Sequence, residues 1–320
     1  MVRVLVCIPH FFRRNSADSG IANGSNLDLL EKRLSEIEYC YQQISAIVAP
    51  VMFTLGTEGR IGNNLVEPIR KTTHGDVILV SVPDEHLLVE LSNEGKIQAR
   101  IWAGPPRQLG YQCRRIFARH VGQYDLYCFI EDDTAIIDPA FFRKVAKFYE
   151  THGEDKVLVP SRFEIFNYQS RGWRAYLDRP GFRTLRLPEQ KGPEILTLQD
   201  FDGEVIFEKT RDSQAGAYVI TDAQLRSWMK RPGFQAPTER QTYAKFDPME
   251  LAMIPMGGRL PIYRPAMGHL DFLQVHHVPS LACNRKTPRE KLVEYLGPML
   301  QKEWDAWVKN ARLPSKERGH

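Results

Sequence analysis

The stretch LYCFIEDDTAII, residues 126–137, joins five apolar side chains directly to three acidic ones, Glu131, Asp132 and Asp133. An apolar run of this length is typical of a buried strand. Neighbouring carboxylates repel one another and favour protonation or counter-ions. In an extended backbone alternate side chains share a face, so we expect Glu131 and Asp133 to point one way and Asp132 the other. The pattern predicts a ligand or cation site at the end of a central strand.

Similar apolar runs recur along the chain between helical patterns. Their near-continuous apolar character is typical of strands that are covered by helices on both faces. Strands that alternate with helices favour a doubly wound, mostly parallel sheet in an α/β fold. The predicted strands, besides 126–130, are 2–8, 76–82, 156–160 and 217–220. The predicted helices are 27–48, 108–121, 138–152 with Asp138 as the cap, and one that opens with the capping box Thr221–Gln224.

Two segments depart from this alternation. Residues 161–212 are rich in Arg, Pro and Gly and contain a predicted β-hairpin that turns at Asp202–Gly203, which we interpret as an inserted, acceptor-side region covering one edge of the sheet. Residues 286–320 have helical apolar spacing and predict a C-terminal helical extension, which leaves 1–285 as the main domain. Trp304, Trp307 and the basic tail suggest a peripheral membrane contact through this helix as a further hypothesis.

The composition is that of an ordinary globular protein. A formal net charge of +4 over 320 residues, with no arginine-rich run among aromatics, argues against a nucleic-acid partner. Five scattered cysteines without Cys-x-x-Cys spacing argue against a disulfide framework and favour a reducing compartment. No stretch has the length and apolar character of a membrane span. These features predict a soluble, cytoplasmic protein.

The acidic cluster allows two interpretations. In open α/β sheets ligands bind beyond the carboxyl ends of the strands, and the cluster lies at such an end. Paired carboxylates suit Mg²⁺ or Mn²⁺ that also takes oxygens from phosphates. The alternative is that the acids are solvated and merely end the strand.

The segment FIEDDTAI resembles the Asp-x-Asp-type motif of nucleotide-sugar glycosyltransferases with the GT-A fold. The resemblance covers about residues 1 to 280 in the order of elements, but only short motifs match. It implies that Asp133 binds a metal directly and that Glu131 or Asp132 holds ribose or metal-bound water. Glutamate replaces the usual first aspartate at position 131.

Three further segments resemble the same family. LGYQCRRIFARH resembles the helix before the acidic motif and implies a donor contact by Arg115, five residues after Gly110. IPHFF, at the end of the first strand, and SQAGAYVIT resemble segments that hold the nucleobase and let donor and acceptor approach. The donor-binding residues implied by these two are Pro9, His10, Phe11, Gly216 and Ala217.

The last two matches concern proton transfer and the metal. FDPMELAMIPMGG resembles the segment that supplies a general base in inverting members. Pro248 occupies the usual position, so Asp247 and Glu250 are the candidates. LDFLQVHHVPS resembles the segment that supplies a histidine to the metal, which implies His276 or His277. Neighbouring residues of a strand face opposite ways, so at most one of them is expected to be a ligand.

Together the resemblance implies a metal-dependent glycosyltransferase with Mn²⁺ or Mg²⁺ as cofactor. It would move a sugar from a nucleoside-diphosphate sugar, with UDP-sugars favoured, to a hydroxyl of a glycan or lipid-linked acceptor. Two alternatives stay open: a metal-dependent nucleotide-sugar hydrolase or nucleotidyltransferase, and a non-catalytic sugar-binding module of the same fold.

Overall fold

The computed structural model describes residues 1–12, 30–55, 66–91, 97–168, 171–177, 190–200, 203–212, 215–236, 251–278, 298–299, 301–303 and 305–306. α-Helices form at Leu30–Val48 (α1), Leu88–Leu91 (α2), Leu109–Arg119 (α3), Phe141–His152 (α4) and Asp222–Met229 (α5). The first strands are Val2–Pro9 (β1), Val51–Leu55 (β2), Val66–Arg70 (β3), Thr73–Ser81 (β4), Gln98–Ile101 (β5), Leu126–Ile130 (β6), Thr134–Ala135 (β7) and Val157–Leu158 (β8). They are followed by Ser161–Tyr168 (β9), Arg171–Tyr176 (β10), Ile195–Asp200 (β11), Gly203–Thr210 (β12), Ala217–Thr221 (β13), Ile262–Pro265 (β14) and Gln274–His277 (β15).

The central sheet has the strand order β13-β6-β1-β4-β5. β1 runs parallel to β4 and to β6, and β4 runs parallel to β5. Within this sheet β13 is the antiparallel member, paired with β6. The prediction of a mostly parallel central sheet in an α/β fold is confirmed. The strand predicted at 126–130 forms with those bounds, and all five of its residues are buried.

Helices cover both faces of the central sheet, which explains the continuous apolar runs. Along β1, Val4, Val6 and Ile8 pack into one buried cluster with apolar side chains of α1 and α4. Leu5 and Cys7 point to the other face and pack with side chains of α3 and α5. Because both faces of the sheet are covered, the side chains on both faces of β1 are buried, and polar residues are disfavoured on either face.

The hairpin of the segment predicted as an insertion belongs to a second sheet. β11 and β12 form the predicted hairpin, with Asp200 paired with Gly203. β12 then pairs antiparallel with β14, which pairs in parallel with β8, and the order is β11-β12-β14-β8. The hairpin's hydrogen-bond partner is therefore β14, and the expectation that the inserted region covers an edge of the central sheet stays a prediction.

A further set of strand pairs was not predicted. β15 pairs antiparallel with β7 and in parallel with the first residues of β9. In this register His277 lies opposite Thr134, and His276 opposite Ala135. The pairing brings a late segment of the chain beside the residues that follow β6.

The two predicted helix starts with a named capping residue have different outcomes. The capping box of α5 forms, because the Thr221 side chain accepts from the Gln224 amide and the Gln224 side chain accepts from the Thr221 amide. The start predicted at Asp138 is corrected: α4 begins at Phe141. Asp138 accepts from the Ala140 amide at 2.7 Å and so stabilises a turn before the helix.

The chain divides into two compact units, residues 1–163 with 176–278, and residues 164–175 with 279–320. Of the predicted C-terminal extension, residues 298–299, 301–303 and 305–306 are helical, and the rest lies outside the described residues. The boundaries at 161, 212 and 285 stay predictions. Among the described residues, no helix combines the length and apolar character that crossing a membrane requires.

Candidate active site

The candidate site lies where the strand order of the central sheet reverses. The chain crosses from β1 to β4 and β5 on one side, whereas β6 lies on the other side of β1. In open parallel sheets such a reversal opens a crevice beyond the carboxyl ends of the two strands, and ligands bind there. Here these ends carry His10, next to the end of β1, and Glu131, Asp132 and Asp133, directly after β6.

Asp132 connects three elements of the fold. Its Oδ1 accepts from the Arg33 guanidinium of α1, and its Oδ2 lies 2.7 Å from His10 Nδ1. The carboxylate is only 9% exposed, and Arg33 is equally buried. Burial alone would lower the pKa of Arg33, but Asp132 and Asp133 raise it above its ordinary value, so the cation is retained.

The orientation of the His10 ring follows from its other nitrogen. The Leu87 amide donates to Nε2 at 3.0 Å, so Nδ1 carries the proton that is donated to Asp132. The ring is fully buried. His10 was predicted to contact a nucleobase, and that role stays a prediction, as it does for Pro9 and the half-buried Phe11. Both ring nitrogens of His10 form hydrogen bonds within the protein.

Glu131 and Gly216 are in direct contact. The Glu131 amide donates to the Gly216 carbonyl at 2.8 Å, and Glu131 Oε2 lies 3.8 Å from Arg162. Gly216 has a φ of +64°, and a Cβ at this position would lie 2.9 Å from Thr134 Oγ1 and 3.0 Å from Glu131 Oε2. Glycine is therefore required here by both conformation and space.

Asp133 and His277 form the second polar pair. His277 Nε2 lies 3.5 Å from Asp133 Oδ2, and the Val278 amide donates to the Asp133 carbonyl at 2.8 Å. The neighbouring His276 faces elsewhere: its ring stacks on Phe163 at a centroid distance of 5.1 Å. The expectation that the two histidines face opposite ways is confirmed. His277 is therefore the histidine whose ring approaches the Asp133 carboxylate.

The carboxyl groups of Glu131 and Asp133 have opposite pKa shifts. Burial and the nearby Asp133 raise the pKa of Glu131 to about 7, although Arg162 and His277 act against this. For Asp133 burial also acts to raise the pKa, but His277, Arg33 and Arg162 outweigh it and hold the pKa below the ordinary value. Carboxyl groups that lie side by side with different protonation are a feature of functional sites as well as of structural ion networks.

The donor set fits a divalent cation that is shared with a phosphate ligand. Asp133 offers an ionised carboxylate and His277 an imidazole nitrogen, and both side chains are partly exposed, at 26% and 19%. Mg²⁺ and Mn²⁺ commonly use one or two protein ligands when substrate phosphates complete the coordination. The described residues do not form a metal site in which protein side chains supply all the ligands, because no three His, Cys, Asp or Glu side chains among them are grouped to hold an ion.

The adjacent arginines of α3, Arg114 and Arg115, have different surroundings. Arg115, the predicted donor contact, donates to the Gln235 carbonyl at 3.4 Å, and it lies 3.0 Å from Gln112 when the amide of Gln112 is oriented to accept. Arg114, which sequence reasoning passed over, is 1% exposed and donates to main-chain carbonyl groups. The sequence does not distinguish the two adjacent arginines, because the side of α3 that faces the core decides which one is buried.

The remaining predicted residues have simple outcomes. Ala217 is buried at the start of β13, paired with Ile130. The predicted bases, Asp247 and Glu250, lie outside the described residues. Sequence reasoning missed Arg33, and it assigned Arg162 to the arginine-rich insertion without predicting that it lies beside Glu131.

No family model and no curated protein matches this chain. Solved structures that resemble it include S. aureus TarS, with 11% identity and a TM-score of 0.38 over 82% of this chain and 36% of that one. HddC from Yersinia pseudotuberculosis matches with 11% identity and a TM-score of 0.37, over 89% and 97% of the two chains. A protein described as mannose-1-phosphate geranyltransferase from Thermus thermophilus matches with 12% identity and a TM-score of 0.39, over 83% and 74%. At such low identities and scores, no function or residue role passes from these proteins to this chain.

Proposed function

We propose that this protein is a transferase that binds a nucleoside-diphosphate sugar in the crevice between β1 and β6 and passes the sugar to an acceptor hydroxyl. The observation that carries the proposal is the pairing of Asp133 with His277 at the carboxyl end of β6. It provides a carboxylate and an imidazole at the edge of the sheet where open α/β folds bind ligands.

The residues around this pair have the charges that a diphosphate group requires. A divalent cation held by Asp133 and His277 would supply Lewis-acid stabilisation of the leaving diphosphate. Arg162, which lies 3.8 Å from Glu131, adds positive charge beside the same surface. Asp132 holds the motif in place through Arg33 and His10, so its proposed role is positioning. The proposed role of Glu131, which lies against Gly216, is to accept a hydrogen bond from a hydroxyl of the donor.

Titration calorimetry with a panel of nucleoside-diphosphate sugars, in Mn²⁺ and in chelator, tests this proposal. We expect one donor to bind in a metal-dependent way, and we expect Asp133→Asn to weaken that binding at least tenfold. The matched control is Asp271→Asn, which removes an exposed carboxylate of the same unit. Binding that ignores both the metal and Asp133→Asn would refute the proposal.

Assays of product release separate the proposed transferase from its competitors. Release of free sugar from the bound donor at an equal rate with and without acceptors would indicate a hydrolase. Release of pyrophosphate from a nucleoside triphosphate and a sugar phosphate would indicate a nucleotidyltransferase. Donor binding without turnover for any glycan or lipid-linked acceptor would indicate a binding module.

A further inference from the structure

A groove with a volume of about 380 Å³ opens at the edge of the central sheet where β1 and β4 begin. We call it the amino-edge groove, and its lining includes Arg3, Pro50, His74, Asp76, Gln123 and Tyr124. β1 has eight residues, so roughly 26 Å separates this edge from the carboxyl edge, where the proposed donor site lies. One sugar unit cannot occupy both edges.

The register of β1 and β4 brings three polar side chains to one face of the sheet. Arg3 pairs with His74, and Leu5 pairs with Asp76. Paired residues of parallel strands share a face, as do alternate residues of one strand, so Arg3, His74 and Asp76 project to the same side. Further along the strands this face carries Leu5 and Ile78, which are buried in the apolar core. The polar side chains of this face are therefore those that line the groove.

Asp76 is held in a defined orientation by two donors. The Tyr124 hydroxyl donates to its Oδ2 at 2.5 Å, and the Gln98 side chain donates to its Oδ1 at 3.3 Å. Burial and the contact with Asp76 raise the pKa of Tyr124 above its ordinary value, so the phenol stays a donor. A carboxylate has lone pairs for about four hydrogen bonds, so Asp76 can also accept from a ligand.

His74 and Arg3 supply further hydrogen-bonding capacity. The imidazole of His74 is half-buried, and it forms no hydrogen bond or ion pair with any other residue that the structure describes. An imidazole nitrogen can donate or accept. Arg3, whose side chain is 50% exposed, contacts Asp125 through Nη2 at 3.4 Å, and its guanidinium has other N–H donors.

The charges of the groove favour an uncharged ligand that is rich in hydroxyl groups. An anion attracted to Arg3 would also meet the carboxylates of Asp76 and Asp125, and a cation attracted to those carboxylates would meet the guanidinium. A hydroxyl group both donates and accepts, so neighbouring hydroxyl groups of one ligand can satisfy Arg3, His74 and Asp76 together.

The size and the apolar part of the lining fit the same class of ligand. Binding sites for small molecules commonly have volumes of about 300 to 1,000 Å³ and combine apolar surface with a few converging polar groups. The ring of Tyr124 and that of Pro50 provide apolar surface in this groove. A sugar ring has one apolar face as well as its hydroxyl groups, and it is small enough for this volume.

We propose that the amino-edge groove is a second carbohydrate-binding site, in which Arg3, His74 and Asp76 bind the hydroxyl groups of one uncharged sugar unit. The apolar face of the sugar packs against Tyr124 and Pro50. This site goes beyond the proposed transferase activity, and it needs neither nucleotide nor metal, because it lies at the other edge of the sheet.

NMR of the whole protein with ¹³C-labelled histidine tests the site directly. The probes are methyl glycosides of glucose, galactose, mannose and N-acetylglucosamine, titrated without nucleotide or metal. We expect at least one of them to shift the ring resonance of His74 saturably at millimolar concentrations, while the resonance of His269, which does not line the groove, stays in place. If no glycoside shifts the His74 resonance, or if inorganic phosphate or spermidine binds there more tightly, the proposal is overturned.

Variants of the lining test the contacts. His74→Val and Asp76→Asn should each weaken binding of that glycoside at least fivefold, whereas His269→Val, which also removes a partly exposed histidine, should stay within twofold of wild type. Arg3→Met, at a half-exposed position, gives the same test if His74→Val does not fold. Wild-type affinity in the lining variants would contradict the proposed contacts.

Competition separates this site from the proposed donor site. Uridine diphosphate with Mn²⁺ should leave the affinity for the glycoside within twofold, because the two ligands would bind at opposite edges of the sheet. Displacement of the glycoside would place it in the crevice between β1 and β6 and would overturn the proposal. If no nucleotide sugar binds to the protein, the proposed function fails, and the glycoside titrations still decide whether the amino-edge groove binds a sugar.

Discussion

His277 Nε2 lies 3.5 Å from Asp133 Oδ2, although the two residues are far apart in the chain. The contact depends on the β15–β7 pairing, which sets His277 opposite Thr134, the residue after Asp133. The strand register therefore selects one of two neighbouring histidines, and it leaves His276 against Phe163.

This selection predicts different effects for the two histidines. We expect His277→Gln to weaken Mn²⁺-dependent donor binding about tenfold, because glutamine replaces a nitrogen ligand by a weaker neutral one. His276→Gln is the matched control and should change the affinity less than threefold. Calorimetric titrations of both variants under identical metal concentrations provide the comparison. Equal losses, or a larger loss for His276→Gln, would contradict the assignment.

The ion pair between Arg33 and Asp132 predicts a large effect on stability. Arg33→Met leaves the Asp132 carboxylate buried with His10 as its remaining partner among the described residues, so the free energy of unfolding should fall by about 3–5 kcal/mol. Urea unfolding followed by circular dichroism measures the change. Lys32→Met, on the same helix, removes a cation that is 47% exposed and should cost less than about 1 kcal/mol. A cost for Arg33→Met no larger than this control would mean that the buried pair contributes little.

The raised pKa of Glu131 predicts a pH-dependent effect of Glu131→Gln. The folded state holds this proton up to about pH 7, whereas the unfolded state releases it near the ordinary value of 4.5, so wild-type stability falls as the pH rises through that window. In chelator, Glu131→Gln should match wild type near pH 4 and exceed it by about 1–3 kcal/mol at pH 8.

Denaturant unfolding at several pH values measures this difference. Glu150→Gln, at an exposed position of α4, provides the control and should follow the wild-type pH profile. A constant difference between Glu131→Gln and wild type from pH 4 to pH 8 would rule out a raised pKa for Glu131.

Gly216 should not tolerate a side chain. Gly216→Ala forces a Cβ to within 3.0 Å of two oxygen atoms at a φ of +64°, so we expect a loss of about 1–3 kcal/mol in the free energy of unfolding. Gly268→Ala is the matched control, because a Cβ there meets no atom within 4 Å. Thermal and urea unfolding compare the two. Equal stability of both variants would show that the backbone around Gly216 rearranges at no cost.

Patterns that depend on local chain geometry were predictable from the sequence. The buried strand at 126–130 and the capping box at Thr221 form as predicted, because apolar runs and capping residues act over a few neighbouring positions. The opposite orientations of His276 and His277 also follow from strand geometry alone. The start of α4 was wrong by a few residues, since the Asp138 side chain stabilises a preceding turn equally well.

What surrounds the acidic motif was decided by the tertiary structure. By itself the sequence determined that a buried strand ends in three carboxyl groups and that a parallel sheet brings this end to the edge where open α/β sheets bind ligands. It did not determine that Arg33 and His10 form hydrogen bonds with Asp132, or that His277 approaches Asp133. Nor did it determine that Arg114 is buried while Arg115 is not. These contacts join residues distant in the chain, and their energies depend on distance and burial, which arise only when the sheets and helices pack together.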